Sequence, residues 1–180
     1  MIEDFDNCIL IKPDETMLDE IASYRAAFLD AGQKLYGSGL LPEFEDPEDW
    51  LHHNRISEDR ETVPAGRVPS EQFVLFRMSD QKIVGMITFR HEFNDFTREY
   101  GGNIGYSVHP NERRKGYAKR MLTECLDRCR AFGLDRVLIT CRVRHEASRR
   151  TILACGGVYA KTVYCKRDDA TLERYWVELS

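Results

Sequence analysis

The densest chemistry in the chain lies in Val108-His109-Pro110-Asn111-Glu112-Arg113-Arg114-Lys115-Gly116-Tyr117-Ala118. A strand-like run ends there, a basic loop with one glycine follows, and a long amphipathic helix begins. That order aims free backbone N–H groups and the positive end of a helix dipole at one spot. Gly116 lets a ligand approach the backbone closely, and Ala118 is small for the same reason. Arg113, Arg114, Lys115, Lys119 and Arg120 add charge around the mouth. The arrangement suits a phosphate or pyrophosphate. An ordinary surface helix start is the plain alternative, because one glycine in a basic loop is a short signal. The second glycine and the Lys-Ser/Thr end of a Walker A loop are absent, and so is G-x-G-x-x-G.

The elements that must hold this loop follow from periodicity. Residues 8–11 read as a short strand. Pro13-Asp14-Glu15 opens a helix on which Met17, Leu18, Ile21, Tyr24, Arg25 and Phe28 recur at three and four, with Ala31-Gly32 as its stop. Pro47-Glu48-Asp49-Trp50 starts a second helix. Residues 57–72 read as a long polar loop. Residues 73–78 and 83–89 form two antiparallel strands around the turn Ser79-Asp80-Gln81. A mixed polar-aromatic connection spans 93–100, and 103–108 is a further strand ended by Pro110. Residues 116–132 are the clearest helix. Tyr117, Ala118, Met121, Leu122, Cys125, Leu126 and Cys129 form its apolar face, and Gly133 is its C-cap. A strand at 137–141, a short helix at 147–154 stopped by Gly156-Gly157, and strands at 158–164 and 175–179 complete the chain. Helices on a largely antiparallel sheet imply one α/β or α+β domain.

Length and composition agree with that picture. The chain has 180 residues, 42% apolar and 31% charged, which suits one soluble globular domain. No apolar run approaches the roughly 20 residues of a membrane span. Met1-Ile2-Glu3-Asp4-Phe5-Asp6 is acidic where a signal peptide is basic and then apolar, so the cytoplasm is the expected location. The net charge of −4 hides an asymmetry: residues 1–61 carry 16 acidic against 5 basic residues, and residues 112–150 carry 12 basic against 5 acidic. A basic segment in an acidic protein implies an anionic ligand held locally and no nucleic-acid partner. The six cysteines lack C-x-x-C and zinc spacing, and Cys125 and Cys129 sit in a helical stripe, so core packing is expected and no metal.

The segment Arg113-x-x-Gly116-x-Ala118 resembles motif A of the GNAT superfamily of acyl-CoA-dependent N-acyltransferases, Gln/Arg-x-x-Gly-x-Gly/Ala. The resemblance covers residues 73–164 and includes His145-x-x-Ser148 leading to Cys155-Gly156-Gly157-Val158. It implies a central mixed, mostly antiparallel sheet splayed into a V between 103–108 and 137–141, flanked by helices. On this reading the chain is a single domain. Residues 1–70 form an acidic helical acceptor side, 71–165 the acetyl-CoA core, and 166–180 a C-terminal strand. Acetyl-CoA is then the cosubstrate, without metal. Backbone from Arg114, Lys115, Gly116, Tyr117, Ala118 and Lys119 would take the pyrophosphate, and Tyr106 and Val108 the pantetheine arm. Arg113, His145 and Ser148 complete the expected binding set. His145 stands where the family often has Asn.

The catalytic groups depart from the family pattern. Many relatives place a tyrosine where this chain has Ile152, so Tyr159 and Tyr164 are the candidate proton donors to the leaving thiolate. In a regular strand only one of that pair faces the cleft. Candidate bases are His91, Glu92, Glu99, His109 and His145. The resemblance implies acetyl transfer from acetyl-CoA to a primary amine, on a small molecule or a peptide. The acidic N-terminal third favours a cationic acceptor. A non-catalytic acyl-CoA-binding sensor is the alternative. No membrane partner is expected, and a homodimer is left open.

Overall fold

Two aspartates start the N-terminal helices. Asp14 accepts the Thr16 N–H at 2.9 Å and Asp46 accepts that of Glu48 at 2.8 Å. Each cap satisfies a donor that the helix itself leaves orphaned. In the computed structural model, which describes residues 7–180, a 3₁₀ turn at Glu15–Met17 leads into α1, Leu18–Asp30, and Pro47–Ile56 is α2. Residues 1–6, whose acidic start bears on location, lie outside the described residues. Ile21, Tyr24 and Phe28 of α1 and Trp50 of α2 pack on Val74, Ile83 and Met86 of one sheet face.

Seven strands build the sheet: β1 Cys8–Ile11, β2 Ser70–Arg77, β3 Lys82–Arg90, β4 Ile104–Val108, β5 Arg136–Arg142, β6 Val158–Cys165 and β7 Ala170–Glu178. Their order is β1-β2-β3-β4-β5-β7-β6, antiparallel throughout except between β4 and β5. On the other face lie α3, Tyr117–Phe132, and α4, Glu146–Ala154. Met121, Leu122, Cys125, Cys129 and Ile152 bury there against Leu75, Ile87, Ile139 and Tyr175. Each fully buried apolar side chain of this kind contributes about 1.5–3 kcal/mol of transfer free energy. Cys125 and Cys129 are core residues, as their stripe implies. Gly133 caps α3 at φ +107°, a conformation that glycine adopts without strain.

Three expectations are corrected. The loop read over 57–72 ends earlier, because β2 begins at Ser70. The last strand begins at Ala170, five residues before its expected start. Its Ala170 and Leu172 gain an apolar partner in Phe96 and Tyr100, which a sequence pattern does not display. The connection read over 93–100 closes into one π-helical turn, Thr97–Gly101, ended by a 2.7 Å bond from the Gly102 N–H to the Thr97 carbonyl.

The feature that positions the site is where β4 leaves β5. Their only register pair is Ile104↔Ile139 among the described residues. Asn103 stitches the two strands together just before it. Its N–H donates to the Leu138 carbonyl at 2.7 Å, and its Oδ1 accepts the Leu138 N–H at 2.8 Å. Beyond that stitch the ladder stops, and the sheet opens as a V.

Candidate active-site cleft

β4 presents its free edge to the V. The His109 N–H donates to the Val84 carbonyl at 2.9 Å and the Arg90 N–H to the Asn103 carbonyl at 2.7 Å. Backbone direction alternates along an antiparallel ladder. Gly105 and Ser107 therefore turn their amides and carbonyls to β3, while Tyr106 and Val108 turn theirs into the gap. Arg113 Nε covers the Val108 carbonyl at 3.3 Å.

The basic loop sits at one end of this edge. Gly116 has φ +87° and Arg114 φ +64°, so the chain turns twice through the left-handed region before α3 begins. The first turn of α3 leaves the amides of Ala118 and Lys119 without helical partners at the same spot. A buried carboxylate holds the turn in place. Glu112 binds Arg77 through two bonds, 2.9 and 3.1 Å, and Lys115 at 2.7 Å, with Lys82 Nζ at 3.3 Å. Arg77 also donates to the Tyr117 hydroxyl at 3.0 Å. The Arg77 bonds, with those from Lys115 and Lys82, hold the Glu112 carboxyl down at about 2.

The expected binding residues therefore divide. Tyr106, Val108, Gly116, Ala118, Lys119 and Arg114 remain at the edge or the loop mouth. Tyr117 is buried, its hydroxyl taking the bond from Arg77. Lys115 is committed to Glu112. Arg113 reaches Gln33 Oε1 at 2.7 Å and lies over the Phe28 ring, tying the loop to α1. His145 stands at the N-cap position of α4 without a side-chain cap bond and lines the V with Ser148. The Tyr106 hydroxyl meets Ser148 Oγ at 2.9 Å, and burial pushes its pKa up to about 12.

The expected catalytic residues mostly stand elsewhere. Tyr159 and Tyr164 lie on β6, the edge strand, both more than half exposed. Neither lines the cleft. The Tyr159 hydroxyl meets Thr162 Oγ1 at 2.8 Å, and that of Tyr164 donates to Asp169 at 2.6 Å. The one-per-face expectation also fails. A bulge at Ala160 lets Tyr159 pair with Tyr175 and Tyr164 with Thr171, so both share a face. Glu99 is ion-paired with Lys161 at 3.0 Å, His91 bonds Glu71 at 3.0 Å and stacks on Phe132, and Glu92 pairs with Arg60. His109 is buried, its Nδ1 accepting the Asn111 N–H at 3.2 Å. Ile152 is wholly buried beneath Gly157.

The cleft measures about 1320 Å³ and runs through the V to the α1–α2 side of the sheet. There the loop Gly37-Ser38-Gly39 crosses β4. A Cβ on Gly37 would lie 2.3 Å from the Gly105 carbonyl oxygen, and Gly37 has φ +63°. Gln72 Nε2 donates to the Gly37 carbonyl at 2.9 Å and Trp50 Nε1 to that of Ser38 at 2.7 Å. His53, which the sequence reading passed over, lines this side. Burial and then the nearby Arg67 charge push its pKa below the usual 6.5. His145 is lowered too, by its surroundings and then by Arg113. The wall is not acidic. Six Lys and Arg residues line the cleft against two carboxylates, Glu43 and Asp168. The acids of the N-terminal third cap helices or pair elsewhere, as Asp14, Asp46, Glu15 with Arg55, and Glu58 with Lys12 do.

Comparison with known proteins agrees with this architecture. The ribosomal-protein-S5-alanine acetyltransferase from Vibrio fischeri superposes with a TM-score of 0.72 at 15% identity, covering 97% of this chain and 94% of that one. The microcin C7 self-immunity acetyltransferase, in complex with acetyl-CoA and AMP, gives 0.69 at 16% identity over 96% and 93%. A putative acetyltransferase from Salmonella typhimurium with its cofactor acetyl-CoA gives 0.64 at 15% identity over 97% and 95%. No curated protein matches the chain in sequence. The family model "Acetyltransferase (GNAT) family" matches residues 29–156. With that match over most of its length, and with the V-shaped sheet and Gly116 loop described above, the chain belongs to the GNAT acetyltransferase family.

Proposed function

We propose that this protein transfers an acetyl group from acetyl-CoA to the primary amine of an acceptor that enters from the α1–α2 side. The observation that carries the reading is the open β4 edge. Tyr106 and Val108 offer backbone groups to the V, and the Gly116 turn lies at its end. Acetyl-CoA supplies the activated acetyl group when bound. Amides of Arg114 through Lys119 would hold its pyrophosphate, and the β4 edge its arm. No cluster of metal-ligating side chains occurs among the described residues.

The chain's own groups then move protons. An attacking amine must be neutral, so a cleft group must accept a proton. Among the bases weighed in the sequence, only His145 lines the cleft, and His53 joins it. Both are held below 6.5 and are neutral at pH 7. Because the neutral form is the active one, turnover persists to lower pH than an ordinary histidine allows. It falls only as pH drops through the lowered value. With Tyr159 and Tyr164 tied up at the sheet edge, the Tyr106–Ser148 hydroxyl pair is the donor we assign to the leaving sulfur. The sequence flagged both residues for binding alone.

The test pairs calorimetry of acetyl-CoA binding with CoA release in the presence of amines. Amine-dependent release supports the transferase. Binding with no release for any amine supports the non-catalytic acyl-CoA module instead. Tyr106→Phe should lower kcat about 10²-fold while acetyl-CoA affinity stays near wild type. Unchanged kcat removes Tyr106 from the proton path.

A further inference from the structure

Among the guanidinium groups that line the cleft without a carboxylate partner are Arg67 and Arg90 on the acceptor side. Arg90 ends β3 deep in the cleft, and Arg67 comes from the loop before β2. Arg90 Nη1 leans on the carbonyls of Gly101 and Gly102, each at 3.3 Å. Among the described residues, neither arginine has a carboxylate within ion-pair distance. Arg142 and Arg144, also in the cleft wall, likewise hold none, whereas Arg77, Arg149 and Arg120 each hold one. Arg67, Arg90 and His53 line the same cleft. Burial and then the Arg67 charge lower Arg90 to about 10, and the same charge lowers His53. Two like charges gathered in one partly dry cleft repel each other, and an anion placed between them removes that cost. Guanidinium forks also fit planar or tetrahedral oxyanions through paired bonds.

We infer that the acceptor is a small primary amine that also carries an anionic group, a carboxylate or a phosphate, seated between Arg67 and Arg90. The inference rests on the acetyl-transfer reading and narrows it to a substrate class opposite to the cationic acceptor that the acidic N-terminal third implies. The amine end of such a molecule points back toward His53 and the β4 edge. Glu43, the one carboxylate of that acidic third in the cleft wall, faces His53 through its charge and leaves the arginine pair unopposed.

Matched amines test it. CoA release is measured for O-phosphoethanolamine against ethanolamine, and for an amino acid against its amide, with spermidine as a cationic acceptor. In at least one pair the anionic member should be favoured roughly tenfold or more in kcat/KM, the size expected for charge-assisted bonds. Which pair responds tells phosphate from carboxylate. The preference should collapse in Arg67→Gln and Arg90→Gln, while calorimetry gives unchanged acetyl-CoA affinity. Arg67 is exposed, so its variant keeps the test alive if the Arg90 variant fails to fold. Equal use of both members, faster use of spermidine, or acetyl-CoA binding with no anionic amine turned over each overturns the inference while acetyl-CoA recognition stands. Loss of acetyl-CoA binding itself overturns the transferase reading beneath it.

Discussion

The two ends of β4 handle positive charge in opposite ways. At the α3 end, Glu112 gathers Arg77, Lys82 and Lys115, so the basic residues there mostly build the loop. Binding is left to backbone amides. At the acceptor end, Arg67 and Arg90 stay without carboxylates, so their charge is available to a ligand. Charge counted along a sequence does not distinguish a scaffold from a binding site. The partner across the fold does.

Breaking the backbone at the α3 end should give the largest effect. Gly116→Val puts a branched side chain at φ +87°, a conformation it strongly resists, and crowds the phosphate spot. Acetyl-CoA binding by calorimetry should vanish. Binding at wild-type strength would move the site elsewhere.

The equivalent break at the acceptor end is Gly37→Ala. Its Cβ meets the Gly105 carbonyl oxygen at 2.3 Å, and backbone on both sides cannot yield cheaply. Thermal or denaturant unfolding should register a loss of about 3 to 4 kcal/mol. A loss below the noise would show that the loop lifts off β4.

Glu112→Gln probes the scaffold chemistry. Removing the carboxylate that three cations share weakens a buried ion network, but Arg77 keeps its two bonds to Asp80 at 2.8 and 2.7 Å, so the expected cost is about 2 kcal/mol. The sign with pH is fixed by the depressed carboxyl. Glu112 sits at about 2 against an ordinary 4.5, so its contribution is complete above pH 4.5 and drains as pH falls toward 2. Wild-type and variant unfolding midpoints should converge over that range. A gap that persists below it would assign the cost to packing.

The smallest effect sharpens the contrast. Arg114→Ala removes an exposed charge at the loop mouth, and acetyl-CoA affinity should drop by less than about fivefold, more at low salt than at high. A loss of several hundredfold would mean that side chains hold the phosphate.

Much of this was legible in the residues themselves. The 3.6-residue stripe of α3, its Gly116 start and Gly133 end, and the core role of Cys125 and Cys129 are local patterns, and they survive folding because local geometry sets them. Strand edges at Ser70 and Ala170 were not legible, because the polar residues at 70–72 and the isolated apolar Ala170 and Leu172 gain partners only across the fold. The Ala160 bulge hid in an unremarkable strand and reversed the side-chain logic of Tyr159 and Tyr164.

Local patterning set the order of elements and the strand–basic loop–helix unit with its glycine turn. Those depend on neighbours three or four residues apart. Which charges are spent and which are free depends on contacts across the fold, because Arg77 meets Glu112 from 35 residues away while Arg67 and Arg90 line the cleft without a carboxylate. The tertiary structure also brought His53 and the Tyr106–Ser148 pair to one cleft. Burial and the fields of distant groups set what such residues can do, and neither is written in sequence spacing.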